Sequence, residues 1–395
     1  MSDRIDLTDP DFLADPHASW ARLRESGPVH GVYAEDGSPA WLVTRYETVR
    51  ERHLDSRLTV DKRASSGGYS GFSLPPELDE NLLNRDGETH SRLRRLVSGA
   101  FTPRRVRSLR ARIDEIAHAL IDDFDADHVD LVSEYSVPLS ATVIGHMLGV
   151  PESERAQFKT WTNGMFSRDR EEVATSIGHI YTFLRELIDV KRAQPDDDLL
   201  SDLVALHDGE DRLSSDELLS TAMLLMLAGY ESPVHALGNG IVALLTHPRQ
   251  WRELRERPEL VPTAVEEILR FDPPNSLSIR RFATEDMEIE GCPVKAGDTV
   301  LYGKASAMRD PRQYDNPDTF DIHRQPQHIA FGRGTHFCLG APLGRAEVEI
   351  AITTLLTRCP DLTLSCPPEQ LTWRQSARSH GLVSLPASPT GMEQH

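Results

Sequence analysis

The ten residues FGRGTHFCLG, Phe331 to Gly340, decide what this chain is. They contain three glycines, one histidine and one cysteine. An apolar, helix-periodic run, LGAPLGRAEVEIAITTLL, starts directly after Cys338. The cysteine therefore sits at a helix N-terminus, where free N–H groups and the positive end of the dipole favour a thiolate. Gly332, Gly334 and Gly340 let the backbone turn tightly and approach something large and flat. Four readings of Cys338 compete: packing, disulfide pairing, nucleophilic reaction and metal ligation.

Composition narrows them. The chain has 395 residues, a formal charge of −19 and 39% hydrophobic residues. That balance supports a sizeable core and argues against binding to nucleic acid or to an anionic membrane. No apolar run reaches the length of a membrane span, and the opening MSDRIDLTDPDF is acidic without an apolar signal segment. A soluble cytoplasmic protein is expected. The cysteines are Cys292, Cys338, Cys359 and Cys366, with no C-x-x-C pair, so a zinc ribbon or iron–sulfur cluster is not indicated. Disulfides are not expected in that compartment. No partner base stands beside Cys338 for a nucleophilic role. A thiolate with one open side suits the proximal position of a haem iron.

Working outward, apolar residues recur at helical spacing over 90–125, 135–150, 170–192, 215–246, 248–271 and 340–358. Strand-like runs are short: Pro39–Arg45, Met287–Gly303 and the tail near Gly381–Pro386. The Gly/Ser-rich stretch from Asp61 reads as a long mobile loop, about 61–85, and the end, about 387–395, as a frayed tail. Ser214 and Glu217 form a capping box ahead of the longest helix. Residues 215–246 would span about 48 Å at ~1.5 Å per residue, enough to cross a domain. Its centre, LAGYESPVHALG, carries Gly229, Glu231, Ser232 and Pro233, poor choices for a buried helix. Locally wrong residues in a good element mark function.

The pattern F-G-x-G-x-H-x-C-x-G, filled by Phe331, Gly332, Gly334, His336, Cys338 and Gly340, resembles the haem-binding loop of the cytochrome P450 haem-thiolate monooxygenases, in their soluble bacterial branch. The likeness covers nearly the whole chain. It implies a mainly α fold with small β-sheets, a long central distal helix and a Cys-containing haem loop, in one domain spanning 1–395. It implies haem b as cofactor, with Cys338 as the iron ligand. EEILR supplies the family's E-x-x-R at Glu267 and Arg270, a structural ion pair shared with Arg324. THSRLRR supplies H-x-x-x-R at His90 and Arg94, which lie on one helix face and point at one anion, a haem propionate. Arg281, with Arg280 as the alternative, and His336 complete the propionate set. On the distal side, Ala228-Gly229-Tyr230-Glu231-Ser232-Pro233 stands where the family has Ala/Gly-Gly-x-acid-alcohol-Thr. Glu231 relays protons, and Ser232 holds a water or donates a hydrogen bond.

Two departures stand out. Serine replaces the usual threonine and loses the methyl that stiffens the rotamer. Pro233 has no N–H, so the Gly229 carbonyl loses its helical donor, and a built-in kink is expected. Eight arginines (92, 94, 95, 104, 105, 107, 110 and 112) lie between Thr89 and Ile113 without an acid. In the family this region flanks the face where an acidic ferredoxin docks. The resemblance thus implies a monomeric monooxygenase supplied by ferredoxin and ferredoxin reductase. It would insert one atom of O2 into a small-to-medium, largely apolar substrate, a natural-product intermediate. The pocket is expected from 61–85, 155–180, the distal helix, 274–279 and 376–382, including Tyr69, Phe72, Leu74 and Leu277. The alternatives are a haem-thiolate oxidase that epoxidises, desaturates or couples C–C bonds, and a non-catalytic haem sensor.

Overall fold

In a computed structural model, residues 4–66, 76–101, 103–165, 169–208 and 213–389 are described. The longest element is the central helix, Ser215–Leu245. Its capping box forms as the sequence predicts: Glu217 N–H donates to Ser214 Oγ (3.1 Å), and Ser214 N–H donates to Glu217 Oε2 (2.8 Å). Beyond its first turn the helix is apolar on most faces, so other helices must surround it. Val137–Met147, Val261–Phe271 and Ala341–Arg358 pack directly against it. One large hydrophobic core, including Leu139, Met223, Leu237, Ile268 and Leu355, joins these helices.

A six-stranded mixed sheet lies to one side, in the order Ile5–Asp6, Val29–Tyr33, Pro39–Val43, Thr299–Tyr302, Arg281–Ala283, Leu58–Thr59. It has its own apolar clusters around Val43 and Val300 and around Trp20 and Leu42. A three-stranded sheet joins Val129–Asp130 and Thr363–Leu364 to Pro386–Ser388. No helix among the described residues is long and apolar enough to cross a membrane.

The structure amends several expectations. The apolar pattern over 90–125 divides into Gly87–Ala100 and Pro103–Asp122, with Pro103 opening the second helix. The stretch 248–271 divides likewise into Pro248–Glu256 and Val261–Phe271, broken at Pro258. Helices at Arg155–Gly164 and Leu199–Asp208 lay outside the helical stretches read from the sequence. The tail does not fray from 387: Pro386–Ser388 pairs with two strands and buries Ala387. The loop 61–85 is ordered at both ends. Asp61 caps the turn Lys62–Ala64, and Leu78 and Leu82 enter the main core. Tyr69, Phe72 and Leu74 lie outside the described residues. Leu277 packs in one cluster with Leu42, Leu301, Ala305 and Ala377.

Two buried charge networks hold the frame. Glu267 and Arg270 are fully buried and doubly bonded, Nε to Oε2 at 2.7 Å and Nη2 to Oε1 at 2.8 Å. Arg270 also donates to the carbonyls of Met308 (3.0 Å) and Pro317 (2.8 Å), and Arg324 Nε reaches Glu267 at 3.3 Å. The second network joins His17, Asp272 and His380, whose ligand-type atoms lie within 4.8 Å of one another. His380 Nδ1 is 2.7 Å from Asp272 Oδ1, and Trp373 stacks on the His380 ring at 4.3 Å. Burial acts to raise the Asp272 carboxyl, but the histidines outweigh it and hold the group well below its ordinary range. This network fastens the N-terminal helix and the C-terminal turn to the end of the Glu267 helix.

Candidate active site

The loop around Cys338 is closed by its own backbone. Cys338 N–H donates to the Phe331 carbonyl at 2.9 Å, and Phe337 N–H to that of Gly334 at 3.0 Å. Gly332 and Gly334 have φ of 73° and 74°, the left-handed region that favours glycine. At Gly334 a Cβ would also come within 2.8 Å of Leu54 Cδ2. Helix Ala341–Arg358 starts immediately after, with Gly340 as N-cap. Cys338 is accessible on one side and enclosed by protein elsewhere.

The N–H groups at this helix start act in the expected direction, lowering the thiol. Burial pushes the Cys338 thiol above its ordinary value, although the N–H groups of Gly340 and Ala341 and the charges of Lys304 and Arg94 act to lower it. The helix N-terminus alone therefore does not make a free thiolate. Coordination to a metal does so outright.

Beside the loop lie the basic residues expected to meet one anion. His90 and Arg281 are buried, at 2% and 4% exposure. His90 Nε2, Arg281 Nη1 and His336 Nδ1 are all buried without a hydrogen-bond partner among the described residues. The rings of His90 and His336 lie 4.2 Å apart. Burial lowers His90 to about 4, assisted by the charges of His336, Arg94 and Arg281. Arg94 and Arg281 thus act on the same imidazole from a helix and a strand. Buried polar atoms of this kind are normally satisfied. A group bearing carboxylates between the helix Gly87–Ala100, the strand at Arg281 and the loop would satisfy them. An open cleft of about 620 Å³, lined by Gly87, Glu88, His90, Ser91, Arg92, Arg95 and Thr335, flanks this edge.

On the central helix, Glu231 accepts two hydrogen bonds from Arg378 Nη2, at 2.9 and 3.1 Å, and His235 Nε2 stands 3.7 Å away. Burial acts to raise the Glu231 carboxyl, but His235 and Arg378 bring it down to about 2. Ser232 Oγ accepts from Asn275 Nδ2 at 3.0 Å. The helix runs without interruption through Pro233, so the expected kink does not break it. Gly229 has a packing reason that sequence could not show: a Cβ there would meet Ile144 Cδ1 at 2.7 Å.

Comparison with known proteins decides the family. A family model described as Cytochrome P450 matches residues 249–390. The cytochrome P450 monooxygenase PikC of Streptomyces venezuelae is 42% identical over 382 residues, covering 95% of this chain and 91% of that protein. The chain is a cytochrome P450. The solved structure of the bacillaene polyketide synthase P450 PksS of Bacillus subtilis 168 superposes with a TM-score of 0.90 at 37% identity, covering 97% of this chain and 99% of that one. CxnD, a P450 for C–S bond formation in chuangxinmycin biosynthesis, has a TM-score of 0.90 at 35% identity, covering 100% and 99%.

This P450 is an oxygenase that uses haem b, and its residues fit that group. Cys338 offers a soft sulfur on its accessible side, and the unpartnered atoms of His90, Arg281 and His336 suit the carboxylates at a porphyrin edge. Sequence reasoning missed four neighbours. Asp86 accepts from His336 Nε2 (2.6 Å), Thr59 Oγ1 (2.6 Å) and Val60 N–H (2.7 Å), which orients the histidine and leaves Nδ1 for another partner. Arg378 clamps Glu231, Asn275 holds Ser232, and Lys304 lies beneath the loop. None stands in a short motif with the residue it serves, so no local pattern could reveal them.

Proposed function

We propose that this P450 inserts one oxygen atom from O2 into a small-to-medium, largely apolar natural-product intermediate, with electrons from a ferredoxin and its reductase. In this reading it works as a single-domain monomer in the cytoplasm. Haem b, when bound, supplies the activation of O2. The chain's residues position it: Cys338 ligates the iron, and His90, Arg94, Arg281 and His336 hold the propionates. Glu231 and Ser232, on the central helix, would deliver protons. The observation that carries this reading is the convergence of the accessible Cys338 with buried, unpartnered basic atoms on three separate elements. PikC and PksS, named for a monooxygenase and for polyketide synthesis, support the substrate class.

Asn275 supplies to Ser232 the restraint that threonine's methyl would otherwise provide. By donating to Ser232 Oγ it leaves the hydroxyl proton available for donation.

The direct test is turnover with reduced ferredoxin, its reductase and polyketide-sized candidates, followed by mass analysis. A product heavier by one oxygen is expected; electron consumption independent of every candidate, with no modified product, would sink the reading. A product that has lost hydrogen or gained a ring bond would favour the second reading, a non-hydroxylating oxidase. The likeness to CxnD and the Ser232-Pro233 departure support that alternative.

The arginine-rich stretch supports ferredoxin docking less strongly than its count suggests. Arg92, Arg105, Arg110 and Arg112 pair with Glu217, Asp202, Glu349 and Glu115.

Arg378→Gln tests proton delivery. With the clamp gone, Glu231 should titrate higher than in the wild type, although His235 still acts to lower it. The wild type should show no Glu231 limb at neutral pH. The variant should lose product per electron at a higher pH than the wild type, by the ~100-fold or more that a displaced proton-transfer group costs. A flat pH profile in the variant would remove Glu231 from the relay.

A further inference from the structure

Lys304 is the buried charge that the proposed reaction does not use. It opens a short helix, Lys304–Ala307, directly after the strand Thr299–Tyr302. Its side chain is buried at 6% exposure, and its Nζ donates to the carbonyl of Ala330 at 3.1 Å. Ala330 is the residue before Phe331, where the haem loop begins. Among the described residues no carboxylate pairs with this ammonium.

An ammonium out of water costs several kcal/mol unless an anion compensates it, and one carbonyl dipole is not a full counter-charge. The other charged groups nearby have the same sign. His53 is influenced by Arg281, Lys304 and Arg333, all acting to disfavour a further positive charge. Cys338 belongs to the same loop: its N–H donates at 2.9 Å to the carbonyl of Phe331, the residue after the Ala330 that Lys304 binds. Burial lowers Lys304 to about 8, and only Cys338 acts to raise it.

We infer that Lys304 is a positioning residue of the haem loop: a fixed cation that compensates the Cys338 thiolate and raises the reduction potential of the iron. This rests on the assignment of Cys338 as the haem ligand. The hydrogen bond to Ala330 places the charge at the start of the loop that carries Cys338. A cation close to the ligand favours the reduced iron, which carries one more electron. Transfer from a ferredoxin would then be easier.

The test uses the holoenzyme and three variants. Lys304→Met removes charge and donor, Lys304→Gln keeps a donor without charge, and Lys304→Arg keeps both. In Met and Gln the ferric-to-ferrous equilibrium should shift about tenfold towards ferric, ~59 mV for a one-electron couple. Arg should stay close to wild type. Met should fold at least as well as wild type, since it buries no charge. A Gln variant with the wild-type potential would overturn the inference and leave Lys304 as a hydrogen-bond anchor. If Met takes up no haem, retention by Arg but not Gln supports the charge, and retention by Gln overturns it. The reduced, carbon monoxide-bound spectrum of the wild type separates the two layers. A histidine-type band there would defeat the Cys338 assignment, whereas a thiolate band with unshifted variant potentials would defeat only the role of Lys304.

Discussion

Replacing Cys338 by serine should abolish the thiolate-type band of the reduced, carbon monoxide-bound protein and reduce monooxygenase activity by at least ~100-fold. Losing only an outer-shell partner of a metal ligand already costs ~10–100-fold, and here the proposed ligand itself is lost. The remaining cysteines cannot substitute. Cys359 is buried in the main core, and Cys292 and Cys366 lie on strand and tail segments away from the loop. The fold should survive, because Cys338 is accessible on one side and belongs to none of the apolar clusters. Haem uptake should fall but not vanish, since His90, Arg281 and His336 still offer the carboxylate-binding atoms. An unchanged carbon monoxide spectrum in Cys338→Ser would remove this cysteine from the iron. An Arg281→Leu variant supplies the complementary result: the band keeps its position, and haem is retained less tightly.

Removing Glu267 should do the most damage to stability. Glu267→Ala leaves Arg270 fully buried with its charge uncompensated. Breaking a buried pair from one side costs ~3–5 kcal/mol. A substantial share of the chain's stability would go, because domains are stable by only ~5–15 kcal/mol. Arg324, 3.3 Å from Glu267, would lose its partner as well. The double variant Glu267→Met, Arg270→Met should be less damaged than the sum of its single variants, since it leaves no orphaned charge between those positions. It should not return to wild type, because the carbonyls of Met308 and Pro317 lose their donor. Urea denaturation of the holoenzyme, followed by circular dichroism and haem absorbance, measures this. A cost below ~1 kcal/mol for Glu267→Ala would place the pair among ordinary surface contacts.

Some of this molecule could be read residue by residue. The capping box at Ser214 and Glu217 involves groups three positions apart, and it forms as written. The same holds for Glu267 with Arg270, and for His90 and Arg94 on one helix face. Short spacing on a helix fixes geometry through its repeat alone. The loop motif likewise named Cys338, because glycine positions report the backbone directly: two of its three glycines have positive φ.

Other features needed the fold. The periodic pattern over 248–271 gave no sign that Pro258 would divide it, since both halves face the same core. Leu277 packs in the core beside Leu42, a partner more than 200 residues away that its neighbours in sequence do not announce.

The sequence by itself determined the chemistry: a cysteine loop, a basic set for a dianionic edge, and an acid and alcohol on a long helix. Those are local patterns, and local patterns survive in one dimension. Only the tertiary structure decided how each group is held. Asp86 orients His336 from 250 residues away in sequence, Arg378 clamps Glu231 across 147, and Asn275 holds Ser232 across 43. It also decided that Lys304 is buried with its ammonium on the Ala330 carbonyl at the start of the cysteine loop. The reason is physical. Desolvation and through-space charge depend on what surrounds an atom in three dimensions, and spacing along the chain does not specify that.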